Sequence, residues 1–312
     1  MKTIDKVASA LAVAAFGVLT TVTAPAAGAA PVCPGSGQPT VQVATVPGAS
    51  LEGFTVDPLG RAFTTDVLSG RVLRIDAPGA AAVPIATVPS GGAGALAWTP
   101  DGGLLVGYGA DARVALGDSL RHAGVVRVDP DTGAVTPFAA GLSAANGMDV
   151  GSDGIVYATN DFGNLIGRVN PDGVVQPDWA NLPSANGAVL GSDDRYLYVS
   201  RTFVNPGVSR IPTDRPDAPQ SLLELGGATP DGLTLDSMDR PVVPLNTTGE
   251  IIRVDGPGVA CRLGVSGALT SVVAYGRGVD GFGAGRLFAA TFTGAIFEIP
   301  GGFDPNARTA AP

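Results

Sequence analysis

One pattern recurs six times along the chain, and any fold has to accommodate it. An anchor residue opens an apolar strand, a polar turn follows eight positions later, and two more strands come after the turn. The clearest copies read LEGFTVDPLGRAFTTDVLSGRVLRID from Leu51, ANGMDVGSDGIVYATND from Ala145, ANGAVLGSDDRYLYVSR from Ala185 and PDGLTLDSMDRPVVPLNTTGEIIRVD from Pro230. Weaker copies begin at Ala93 and Leu269. Aligning the turns makes Glu52, Gly94, Asn146, Asn186, Asp231 and Thr270 equivalent, at spacings of 42, 52, 40, 45 and 39 residues. A repeat of about 40–45 residues carrying four short strands is the signature of a propeller blade, so the chain is expected to be all-β, a six-bladed β-propeller. The fourth strand of each repeat precedes the next anchor. The segment from Thr40 to Thr45 has no blade before it, and the sixth copy stops after its third strand at FEIPG. This N-terminal strand is therefore expected to complete the last blade and close the ring, which satisfies the strand edges that would otherwise be exposed.

Composition supports this reading and narrows the function. The 312 residues include 45 Gly and 26 Pro, which cost about 1 and 3 kcal/mol each inside a helix, so long helices are excluded. A net charge of −9 argues against nucleic-acid binding through a basic surface. The only lysines, Lys2 and Lys6, precede an apolar run from Ala8 to Val22 and then Ala27-Gly28-Ala29. That is the layout of a secretory signal, with cleavage expected after Ala29. Loss of Lys2, Lys6 and Asp5 removes a net +1 from the −9, leaving −10 and no lysine, which rules out Schiff-base catalysis and a P-loop lysine. No later apolar run is long enough to span a membrane. The expected organisation is a signal peptide over 1–29, a propeller over 30–302 and a disordered tail over 303–312, in a secreted or otherwise extracytoplasmic protein.

The two cysteines, Cys33 and Cys261, favour one disulfide in an oxidising compartment. It would tie the closing segment to the outer strand of the fifth blade; two unpaired buried thiols are the alternative. Two cysteines and one histidine cannot build a closed zinc site.

In a propeller the innermost strand of each blade lines a central channel, so the six anchors converge at one mouth. Two acids, Glu52 and Asp231, and two amides, Asn146 and Asn186, offer a hard cation such as Ca²⁺ the oxygen ligands it prefers. Without a cation the acids would repel and desolvate each other. The plainer reading is that Asn-Gly and Asp-Gly pairs are turn formers.

With these residues in place, the chain resembles the regucalcin/gluconolactonase (senescence marker protein) family, related to diisopropyl-fluorophosphatase and paraoxonase, over about residues 40–302. The family's opening Glu-Gly matches Glu52-Gly53, its fourth-blade Asn-Gly matches Asn186-Gly187, and its fifth-blade Asp-Gly matches Asp231-Gly232. The resemblance implies that these three positions hold a divalent metal, that Asn146 contacts metal or substrate, and that the protein is a Ca²⁺-dependent hydrolase of lactones or related esters. Departures are Asn146-Gly147 where relatives often have Asn-Asp, and Gly94 where paraoxonase-type chemistry would want a histidine. Asp231 is the expected general base, with Glu52 mainly a ligand.

The longest spacing falls at GADARVALGDSLRH, a candidate lid on the metal face. It carries His122, the single histidine and a candidate acid or base, and Arg113, a candidate substrate contact. A surface histidine and solvated arginines are the plainer alternatives. The turns DPLG, TPDG, GSDG, GSDD and DSMD are expected to be structural, at the opposite face. Asn246-Thr247-Thr248 matches a glycosylation acceptor. No G-x-S-x-G elbow occurs, so a serine-hydrolase triad is not expected. A metal-stabilised propeller that binds a ligand or protein without catalysis is the alternative function, and a lyase or isomerase a third.

Overall fold

A computed structural model describes residues 30–89 and 91–307; the expected signal peptide lies outside them, as do the last five residues. Among the described residues, 24 strands form six four-stranded antiparallel sheets. The first sheet contains β2 (Leu51–Val56), β3 (Ala62–Asp66), β4 (Arg71–Ile75) and β5 (Val83–Thr87), and the second β6 (Ala93–Trp98), β7 (Leu104–Tyr108), β8 (Ala123–Val128) and β9 (Val135–Leu142). The third is built from β10 (Met148–Val150), β11 (Val156–Ala158), β12 (Leu165–Val169) and β13 (Val175–Asn181), the fourth from β14 (Ala185–Leu190), β15 (Tyr196–Arg201), β16 (Gly207–Pro212) and β17 (Gln220–Glu224). The fifth has β18 (Thr234–Leu235), β19 (Pro241–Leu245), β20 (Glu250–Gly256) and β21 (Val259–Val265). The sixth combines β22 (Thr270–Tyr275), β23 (Leu287–Thr291) and β24 (Ala295–Glu298) with β1 (Val41–Thr45), in the order β1-β24-β23-β22. The protein is thus a six-bladed β-propeller whose N-terminal strand completes the last blade.

The second strand of each blade is almost wholly buried, as with Ala62–Asp66 and Pro241–Leu245, because both of its faces are covered by neighbouring blades. Six hydrophobic clusters result, one at each blade-to-blade boundary. Between the first and sixth blades, Phe54 packs edge-on against Phe282 at 6.1 Å, and Phe282 against Phe288 at 4.9 Å.

The ring is locked at its seam. Pro31 to Cys33 run beside β21, with Cys33 N–H donating to the Arg262 carbonyl at 2.9 Å and Arg262 N–H to the Pro31 carbonyl at 2.7 Å. A disulfide joins Cys33 to Cys261. Next, β1 pairs with β24 from Val41↔Glu298 to Thr45↔Ala295. At the other end, within the stretch expected to be disordered, Asp304 is buried and accepts hydrogen bonds from Ser237 N–H at 2.7 Å and Ser237 Oγ at 3.0 Å.

Candidate active site

The anchors sit where the innermost strands leave regular pairing. In the first blade Leu51 faces Asp66 but Phe54 faces Thr64, so Glu52 and Gly53 form a bulge. The same irregularity holds Gly94 between Ala93 and Leu96, and Asn186 between Ala185 and Ala188. A bulge bends its strand and re-aims a side chain, here towards the axis. In the third and fifth blades the inner strand starts late, at Met148 and Thr234, and Asn146 and Asp231 lie just before it. In the sixth blade the corresponding position is Ser271, one residue beyond the expected Thr270: Ser271 lines the channel, whereas Thr270 pairs in register with Thr291. Alignment on the turn slipped there because the connection from β22 to β23 runs from Gly276 to Arg286, far longer than its counterparts.

The glycines that follow the anchors are not turn glycines. None of Gly53, Gly147, Gly187 or Gly232 has a positive φ. Their positions are fixed by close approach: a Cβ on Gly147 would lie 2.1 Å from the Asn186 carbonyl oxygen, and one on Gly53 would lie 2.6 Å from the Gly94 carbonyl oxygen. Xaa-Gly therefore marks where one inner strand presses on the next around the axis. Side-chain donors stitch the same level together, with Thr65 Oγ1 donating to the Gly94 carbonyl at 2.7 Å, Thr202 Oγ1 to Pro230 at 2.6 Å and Ser271 Oγ to Leu51 at 2.6 Å.

The channel has a volume of about 140 Å³, and its lining includes Glu52, Asn146 and Asn186, with Gly232 next to Asp231. Glu52, Asn186 and Asp231 are 8 %, 3 % and 4 % exposed. A third carboxylate, Asp161, joins them, itself 4 % exposed. It stands at the corner after β11, in a second phase of the repeat that the anchor pattern does not report. Burial, then the Asp231 and Asp161 charges, hold Glu52 well above the ordinary carboxylate range. Burial and Asp161 push Asp231 up as well, with the Asn246 amide, the Gly232 N–H and the Asn186 amide opposing. Asp161 is pushed up to about 6 by burial, partly offset by the Asn146 amide.

The remaining partners fix orientation. Asn246 Nδ2 donates to Asp231 Oδ2 at 2.8 Å and to the Thr270 carbonyl at 3.2 Å. Asn246 is buried, so the expected glycosylation acceptor is instead a support for Asp231. Asn186 Nδ2 donates to Thr202 Oγ1 at 2.9 Å, which leaves its Oδ1 free of that contact. Asn146 Oδ1 and Asp161 Oδ1 are buried acceptors without a hydrogen-bond partner among the described residues. Such orphaned acceptors beside mutually repelling carboxylates fit a cation. Among the described residues, no three His, Cys, Asp or Glu side chains are grouped tightly enough to enclose an ion unaided.

The candidate lid, between β7 and β8, contains a 3-10 helix, Ala112–Ser119, started by Asp111 accepting from Arg113 N–H. Asp118 Oδ2 accepts from Asn164 N–H at 2.6 Å, which seats the loop on the corner that carries Asp161. Arg113 pairs with Asp111, and His122 Nε2 lies 3.1 Å from the Gly109 carbonyl oxygen. These contacts of Arg113 and His122 are within their own loop, and neither residue lines the channel.

A closed propeller with acids and amides gathered about a narrow axial channel defines a class of enzymes and binding proteins. Within it, the profile described as "SMP-30/Gluconolactonase/LRE-like region" matches residues 52–280; the chain belongs to that family. Among solved structures, a gluconolactonase of Xanthomonas campestris superimposes with a TM-score of 0.67 at 17 % identity, covering 89 % of this chain and 99 % of that one. The calcium-binding regucalcin of Agrobacterium tumefaciens gives 0.65 at 19 %, covering 88 % and 98 %, and virginiamycin B lyase of Staphylococcus aureus 0.55 at 18 %, covering 84 % and 87 %. No curated protein sequence matches the chain.

Proposed function

We propose that this protein is a divalent-cation-dependent hydrolase, with Ca²⁺ the favoured ion, acting on lactones or related esters. One observation carries the reading: Glu52, Asp161 and Asp231 are all buried and near enough for their charges to repel, with too few donors to offset that charge. Family membership supports the hydrolase class, and the gluconolactonase neighbour supports the lactone. Glu52, Asn186, Asp231 and Asn146 would hold the cation, with Asp161 close by. When bound, it would polarise the carbonyl and stabilise the developing oxyanion. Asp231 takes the proton of the attacking water and returns it to the departing ring oxygen, so ring opening consumes one water and leaves a hydroxy acid. The charge of a bound cation would offset the repulsion from Glu52 and Asp161 and keep Asp231 ionised, as a base has to be. Asn246 keeps the Asp231 carboxylate turned to the channel. The disulfide fits export by the expected signal peptide.

The test is a screen of sugar lactones, aliphatic lactones and aryl esters, with and without chelator, beside Glu52→Gln and Asp231→Asn. Chelator-sensitive turnover, lost in both variants by about 10²-fold or more, is the expected result. Cation binding without turnover of any substrate would overturn the hydrolase reading in favour of a binding module. Absence of divalent-cation binding would overturn the metal site itself.

A further inference from the structure

A channel of about 140 Å³ is well below the several hundred Å³ that enclose an ordinary small-molecule ligand. It admits the reacting carbonyl end of a substrate; the rest has to lie over the mouth. On the side of the third and fourth blades that surface is aromatic. Phe162 follows the buried Asp161 directly, and Phe203 follows Thr202, the residue that accepts the Asn186 amide. Their rings are 5.0 Å apart, tilted by 40°, and remain 37 % and 44 % exposed.

The backbone fixes the pair. Phe162 N–H donates to Asn160 Oδ1 at 3.0 Å, and Phe203 N–H to Ser184 Oγ at 2.8 Å. Val204, 48 % exposed, extends the apolar surface on one flank. Leu116, 58 % exposed on the lid helix, extends it on the other, where a Cβ on Gly117 would lie 2.6 Å from the Phe162 carbonyl oxygen. An alkyl or aryl group laid on such a surface would remove more apolar area from water than a polyhydroxylated ring, whose few C–H faces are all it can offer.

We infer that the substrate carries an alkyl or aryl group that lies on the Phe162–Phe203 pair while its carbonyl enters the channel. This deepens the hydrolase reading and rests on it for the word substrate, but the apolar subsite can be tested without turnover. A series of δ-lactones substituted with zero to eight alkyl carbons is assayed for kcat/KM beside gluconolactone. The corresponding δ-lactams, which resist hydrolysis, are titrated calorimetrically on the Ca²⁺-loaded protein.

Half-burying each added methylene is expected to raise both kcat/KM and lactam affinity about twofold over the first few carbons. In the Phe162→Ser/Phe203→Ser protein, checked for cooperative melting, the gain per carbon should fall towards one. Turnover that is flat with chain length, or fastest on gluconolactone, overturns the inference and leaves the hydrolase reading intact. Chain-dependent lactam binding with no lactone turned over overturns the hydrolase reading and sustains the apolar subsite. Lactam affinity independent of chain length in the wild-type protein overturns the subsite whatever the variant does.

Discussion

A methyl group at position 147 has nowhere to go, because its nearest neighbour is the Asn186 carbonyl oxygen of the adjoining inner strand. Rotamers cannot relieve a clash with backbone, so Gly147→Ala is expected to cost about 3 kcal/mol or more in chemical denaturation. Gly226→Ala, where an added Cβ meets nothing within 4 Å and φ is not positive, should stay within about 0.5 kcal/mol. Equal costs would show that the glycines after the anchors are not there for close approach. Asn246 acts through hydrogen bonding instead. Asn246→Ala removes the donor to Asp231 Oδ2 and should cost about 1–3 kcal/mol, the penalty for leaving a buried polar group unsatisfied. It should also raise the Asp231 pKa further, moving the acid limb of the rate profile to higher pH; a limb that stays in place would remove Asn246 from the site's electrostatics. Mass spectrometry of protein made in a glycosylating host is expected to find Asn246 unmodified.

At the level of strands and loops, what could be read in the sequence depended on which phase of the repeat carried it. The first phase, where the anchors fall, is marked by a bulge and a following glycine, and it located Glu52, Asn146, Asn186 and Asp231. Asp161 and Asn246 belong to a second phase, at the end of the second strand of a blade. There the equivalent residues are as varied as Val67, Thr202 and Phe292, each, like Asn246, donating its N–H to the carbonyl two residues before the anchor, and no shared neighbour flags them. The long connection of the sixth blade displaced its anchor by one residue for the same reason: the turn used as a ruler was missing. The closing strand was legible because a three-strand remainder at one end matched a single strand at the other. That closure also makes the seam a place to measure. Cys33 and Cys261 are 228 residues apart in sequence, and for a loop of that length the chain-entropy model gives the bridge about 5 kcal/mol. The double variant Cys33→Ser/Cys261→Ser should therefore unfold at markedly lower denaturant, with β1 and Pro31 to Cys33 losing amide protection first in hydrogen exchange. Uniform loss of protection across all blades would mean that the seam is not the weak point.

Over the whole molecule, buried carboxylates make stability depend on pH in a direction opposite to ordinary acid denaturation. Asp66 and Asp304 are held below the usual carboxylate range. In both, burial is the largest single influence and acts upward, but the donated hydrogen bonds, among them those from Ser69 and Arg71 to Asp66 and from Ser237 to Asp304, together outweigh it. What they contribute is present above about pH 4 and is lost as pH falls below it. Glu52, Asp161 and Asp231 are raised, so over their range the folded chain binds more protons than the unfolded one and stability falls as pH rises. The fall begins near the unfolded carboxylate range, passes about 6 for Asp161, and continues upward as Glu52 and Asp231 ionise. For Asp161 alone the shift corresponds to about 3 kcal/mol at full ionisation. Asp149 is also raised to about 6, by burial, while accepting from Leu190 N–H at 2.7 Å. It works in the same direction from a different part of the channel. In chelator, the denaturation midpoint is therefore expected to drop between pH 5 and pH 8. Ca²⁺ at a hundred times its dissociation constant should restore about 2.7 kcal/mol at the upper end, flattening the profile without abolishing the part that belongs to Asp149. Glu52→Gln should show a shallower fall and a smaller Ca²⁺ effect, since it removes one of the mutually repelling charges and one ligand together. A midpoint that holds steady or rises from pH 5 to pH 8 in chelator would mean that the three acids do not meet as charged groups in the folded protein, and the cation site would go with them.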